Sequence, residues 1–133
     1  MPPELANVRS WLIKADHDRR TAVAALAQAP PVTDTAAFHC QQAVEKLLKA
    51  YLVYHRMWFE KIHDLEALLA QCITRDASFA ELYDRVEPLS AYAVRFRYSG
   101  PDDPTVEQAR SALAVVEQVR EFVGARLPPE TLP

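Results

Sequence analysis

Few residues in this chain are equipped for chemistry. The four histidines are His17, His39, His55 and His63, and the two cysteines are Cys40 and Cys72. The cysteines form no Cys-x-x-Cys pair and share no zinc-type spacing with a histidine, so neither a metal nor any other cofactor is expected. His39 and His55 are more than four turns apart on one predicted helix and cannot share an ion. His17, between Asp16 and Asp18, reads as part of a solvated face. His63 precedes the helix start at Asp64 and is either a ligand contact or a loop hydrogen-bonder.

The densest polar pattern runs from Phe38 to Ala50. Gln41, Glu45 and Lys49 recur every four residues, as do Gln42 and Lys46. Glu45 and Lys49 stand in the favourable order for an ion pair along a helix. The pattern has two readings. One is a solvated face beside a packed one. The other is a polar seam partly buried against another helix or a second subunit, whose groups need partners that the arginines near position 95 can supply. Those arginines lie in Arg95-Phe96-Arg97-Tyr98-Ser99-Gly100. Arg95 and Arg97 can clamp a phosphate while an aromatic ring stacks a base. Alternatively, they cap helix carbonyls or pair with Glu45 while Phe96 and Tyr98 pack inside. Asp102 and Asp103 lie close by and weaken anion binding. Met57-Trp58-Phe59 is a large apolar cluster that either caps the core or forms an exposed contact patch.

The elements that hold these residues are helical. The 133 residues include only 2 Gly and 10 Pro, where average usage gives about nine Gly. Phosphate loops and many-turned β folds both need more glycine. The abundant Ala and Leu favour helix. Proline clusters at 2–3, 30–31, 101–104 and 128–129 mark boundaries. Between them the periodicity predicts helices over roughly 4–28, 34–57, 64–74, 78–97 and 103–127. The first buries Leu5, Val8, Trp11, Leu12, Ala15, Val23 and Leu26, with Asp16, Asp18, Arg19 and Arg20 largely opposite. The fourth opens on a Ser78…Glu81 capping box and is kinked or split at Pro88. The fifth starts with Asp103 as cap and Pro104 in the first turn. With short loops this predicts one all-α domain over 1–133, an up-and-down bundle of four to five antiparallel helices.

A net charge of −3 excludes a global positive field for nucleic acid. No apolar run approaches the roughly 18 residues of a membrane span, and the N-terminus has no signal-peptide layout. Reduced, packed thiols in a cytoplasmic protein are expected.

An ordered set of motifs carries a resemblance. Trp11, Ala15 to Asp18, Gln41-Gln42-Ala43, Glu45-Lys46, Lys49-Ala50, His63-Asp64-Leu65 and Arg97-Tyr98 follow one another over about residues 8–125. In this the chain resembles the HEPN family (higher eukaryotes and prokaryotes nucleotide-binding domain) in its small stand-alone prokaryotic form. The resemblance implies a helical bundle, usually a homodimer, associated with nucleotides or RNA. It also implies a minimal nucleotidyltransferase as partner, in a toxin–antitoxin-like module. The ligand contacts it suggests are Arg97, Tyr98, Lys46, Lys49, Gln42 and His63.

Many HEPN proteins are metal-independent endoribonucleases whose late Arg, four to six residues, then His motif holds and protonates the scissile phosphodiester. Neither Arg95 nor Arg97 is followed by such a His, because all four histidines precede Arg95. Arg56 and His63 match formally, at a spacing that chance alone supplies in a chain with eleven Arg and four His. Arg95 and Arg97 therefore stand as weak catalytic candidates only. Three functions follow: a non-enzymatic binding subunit, a ribonuclease toxin with an altered Arg/His site, and a purely structural helical module.

Overall fold

The computed structural model describes residues 1–59, 64–92 and 103–133. Five α-helices lie among them: α1 (Pro3–Leu26), α2 (Thr33–Tyr54), α3 (Leu65–Arg75), α4 (Tyr83–Ser90) and α5 (Val106–Gly124). A 3-10 helix, Ala77–Leu82, leads into α4, and a short 3-10 turn, Pro129–Thr131, ends the chain. No strand occurs among the described residues. The fold is all-α, as expected for an up-and-down bundle. No described helix is long and apolar enough to cross a membrane.

α2 is the hub. It packs along α1 and α5 and also meets α3 and α4. Its buried residues go almost all the way round, from Ala36, Ala37 and Cys40 to Leu48, Tyr51 and Leu52. Small residues make this possible, because alanines let the neighbouring helices approach closely. On α1 the inward stripe is Val8, Leu12, Ala15, Asp18, Ala22 and Ala25. This corrects two expectations. Val23 is exposed, and Asp18 is buried rather than solvated. The alanines either side of Asp18, one turn away in each direction, set the line of contact with α2, and Asp18 falls on it.

Helix ends follow local chemistry, and here too the structure corrects some boundaries. α2 stops at Tyr54, earlier than residue 57, in a paired turn. The Met57 amide donates to the Leu52 carbonyl (2.9 Å) and the Arg56 amide to Val53 (3.0 Å). Arg56 supplies the left-handed residue this turn requires, with φ of 55°. A glycine usually stands there, and a side chain costs about 1 kcal/mol. Asp64 caps α3 as expected, accepting from the amides of Glu66 and Ala67.

The cap of the next segment is Asp76, not Ser78. Asp76 Oδ1 accepts from both the amide and the hydroxyl of Ser78, so Ser78 is already inside the turn. The chain changes from 3-10 to α at Leu82–Tyr83, and Pro88 lies within α4 without splitting it. The expected end at Arg97 lies outside the described residues. α5 begins two residues later than Asp103-Pro104 suggests. Thr105 and Gln108 form a reciprocal capping box, in which the Gln108 amide donates to the Thr105 hydroxyl and the Thr105 amide to the Gln108 side chain.

The far end of the bundle is pinned by Arg126. Its guanidinium donates to Asp76 (3.1 Å), to the Ser78 hydroxyl (3.1 Å) and to the Phe122 carbonyl (2.9 Å). It also stacks 3.5 Å over the Phe122 ring, which meets Phe79 edge-on. At the chain's end, Arg9 donates to the Leu132 carbonyl at 2.7 Å, fastening the final turn to α1.

Candidate functional site

The polar pattern of α2 is a buried seam. Gln41 and Glu45 are shielded from solvent and Lys49 is 6 % exposed. Lys49 Nζ lies 3.6 Å from Glu45 Oε2. It also sits 5.5 Å from the centre of the Trp11 ring and 5.4 Å from that of Phe59. The two rings meet edge-to-face at 6.1 Å. The ammonium is thus held by a carboxylate and two π faces, a combination that offsets its loss of water.

One turn earlier on α2 a second cluster opens toward solvent. Asp18 on α1 binds two groups of α2 at once. Its Oδ1 is 2.8 Å from His39 Nδ1, and its Oδ2 accepts from Lys46 Nζ. Asp18 is nearly enclosed, whereas the His39 and Lys46 side chains keep about a quarter of their surface in solvent. Nδ1 donates to the carboxylate when the ring is neutral, which leaves the Nε2 lone pair outward. The Phe38 ring stands edge-on to the imidazole at 5.4 Å and helps fix its plane. Gln42 donates to Gln41 Oε1 at 2.7 Å, joining the half-exposed row to the buried one.

Of the residues singled out in the sequence, Gln42, Lys46 and Lys49 come together on this seam. Lys49 is enclosed there rather than presented. Arg95, Arg97, Tyr98 and His63 lie outside the described residues. Asp18 and His39 were not foreseen as members. Their signal was present: Asp18 falls on the alanine stripe of α1, and His39 precedes Gln42 and Lys46 on one face of α2. Asp16 holds Arg19 at 2.9 Å, and Glu45 lies 3.6 Å from Lys49.

The remaining reactive groups are structural. Cys40 and Cys72 are free and buried. Burial pushes each thiol up to about 12, and Glu117 adds to this at Cys40. His55 packs against Tyr51 and Tyr54. Its basicity is lowered by burial and then by Arg75, with Asp76 opposing. Among the described residues no three His, Cys, Asp or Glu are grouped to hold a metal.

On the other side of α1 lies a cleft of about 710 Å³. Leu12, Ala15, Leu47 and Val116 line it, with Leu132 at one end and Asp16, Arg19, Glu117 and Arg120 at the rim. Burial opposes the Arg19 charge, but Asp16 and Glu117 overcome this and raise its pKa. Arg19 is therefore already paired with the groups around it.

Comparison with known proteins identifies the family. The HEPN domain profile matches residues 8–126, so the chain belongs to the HEPN domain family. No curated protein and no solved structure matches it.

Proposed function

We propose that this HEPN-family chain is a binding subunit associated with a nucleotide or RNA. It works as a homodimer and pairs with a minimal nucleotidyltransferase in a toxin–antitoxin-like module. The observation that supports the reading is the edge formed by His39, Gln42 and Lys46. Asp18 takes up Nδ1 of His39 and one N–H of Lys46, which leaves the other ammonium protons for an incoming phosphate and the Nε2 lone pair to accept from an N–H of a base edge. Nothing in this reading requires catalysis by the chain. Light scattering after size exclusion is expected to give the mass of a dimer, and a co-expressed nucleotidyltransferase neighbour is expected to co-purify. A monomer that ignores that neighbour and whose melting temperature no nucleotide shifts overturns the reading, leaving a structural helical module.

A second reading, a ribonuclease with an altered site, draws on one observation. His39 is an imidazole oriented by a buried carboxylate, the arrangement used to take a proton from a hydroxyl. In this reading induced expression slows growth and degrades RNA, and either His39→Ala or Arg97→Ala removes both effects. Normal growth with intact RNA rules it out.

A further inference from the structure

The turn that follows α2 has a feature that packing does not explain. Trp58 is 77 % exposed, although its neighbours Met57 and Phe59 both turn inward onto the core. Large aromatic rings are seldom left in water without a use. The backbone beneath this ring is also fixed. The two amide bonds that close α2 hold Arg56 and Met57, Phe59 is anchored on Trp11, and the Gln71 side chain donates to the Trp58 carbonyl at 2.8 Å. The ring is therefore carried on a rigid turn, and little chain entropy is lost when something covers it.

The surroundings indicate what that is. Arg56, 81 % exposed, comes two residues before Trp58. Its contact with Glu4 spans 3.7 Å between two solvated side chains, an interaction that a phosphate readily displaces. Tyr54, one turn earlier, is partly exposed and stands beside His55. Tyr54 and Trp58 thus flank one exposed cation, Arg56, and aromatic rings beside a cation are a surface on which single-stranded nucleic acid stacks its bases. A protein partner fits less well. A stable protein interface covers about 800 Å² on each side, whereas among the described residues of this turn the exposed apolar surface is one indole and the edge of a tyrosine.

We propose that this turn is a stacking platform for an unpaired base of single-stranded RNA, with Trp58 as the platform and Arg56 as the contact to the adjoining phosphate. The proposal rests on the RNA association put forward above and assigns it a position outside the α2 seam.

The test is fluorescence anisotropy with a labelled twelve-nucleotide single-stranded RNA and a duplex of the same length. The wild-type protein is expected to prefer the single strand. Trp58→Ala is expected to weaken binding about fivefold or more, with an unchanged melting temperature because the ring is not packed. Trp58→Phe keeps a stacking face and recovers most of the affinity. Arg56→Gly preserves the left-handed turn while removing the charge, and lowers the salt slope by about 0.7. Equal RNA binding by wild type and Trp58→Ala overturns the platform and leaves RNA association standing. A wild-type protein that binds no RNA overturns that association, and the platform with it. If Trp58→Ala instead changes the oligomeric mass while RNA binding is untouched, the turn is a protein interface and the proposal is wrong.

Discussion

Asp16 and Asp18 are two residues apart on α1, yet they belong to different electrostatic settings. Asp18 points into the α1–α2 seam, is almost enclosed, and holds His39 and Lys46 together. Asp16 points toward α5, where Arg19 links it to Glu117 at the rim of an open cleft. Both are carboxylates with cationic partners. The difference is solvent. A charge pair at a wet rim exchanges one set of favourable contacts for another, so it contributes little. A charge buried against its partner cannot fall back on water, so removing that partner is costly. The seam therefore governs whether α1 and α2 stay in register, while the rim is free to vary.

The sharpest way to break this contrast is at the enclosed end of the seam. Glu45→Ala strands Lys49 between Trp11 and Phe59, and is expected to lower stability by about 3–5 kcal/mol in urea unfolding. Replacing Glu45 and Lys49 together by Met is expected to recover part of that loss, because the Lys49 ammonium is then no longer buried without its carboxylate. A smaller effect is expected at Asp18. Asp18→Ala leaves His39 and Lys46 their share of solvent, and a loss of about 1–3 kcal/mol is expected. A loss no greater than that of a rim variant would erase the distinction between the two sides of α1.

Asp76 offers an intermediate case read through pH. Hydrogen bonds from the Ser78 hydroxyl and amide lower its pKa below the ordinary carboxylate value; burial opposes them, and Arg126 lowers it further. A lowered folded-state pKa gives stability that is present above the unfolded pKa and lost as pH falls through the folded one. Thermal unfolding of Asp76→Asn is therefore expected to change less than wild type as the pH is lowered from about 5 through the acid range. The smallest effect is expected at the rim itself. Glu117→Gln is expected to change stability by no more than about 1 kcal/mol, and less in high salt.

Much of the fold was legible because helix periodicity and caps are local. The α3 cap at Asp64 and its inward Leu65, Leu68, Leu69 and Cys72 could be read directly. Where two local signals competed, the reading went astray. Asp103-Pro104 is a good helix start, but Thr105 and Gln108 cap each other reciprocally and set the start two residues on. Ser78 resembles a cap, but Asp76 reaches its amide first. The site was legible as a pattern and not as a set of partners. The four-residue spacing of Gln41, Glu45 and Lys49 is equally compatible with water or burial. Only the close approach of α1, set by alanines distant in sequence, decides between them. The same approach brings Asp18 to His39, a pairing across 21 residues that no local rule contains.

The two buried thiols have a practical consequence. Cys40 lies on the hub helix and Cys72 on α3, both without solvent contact, and with pKa values near 12 almost none of either is thiolate at neutral pH. A thiol reagent can therefore react only when the surrounding helices part. The rates at which Cys40 and Cys72 are labelled then time two separate openings, α2 from its neighbours and α3 from the bundle. They form a pair of internal clocks that need no introduced cysteine.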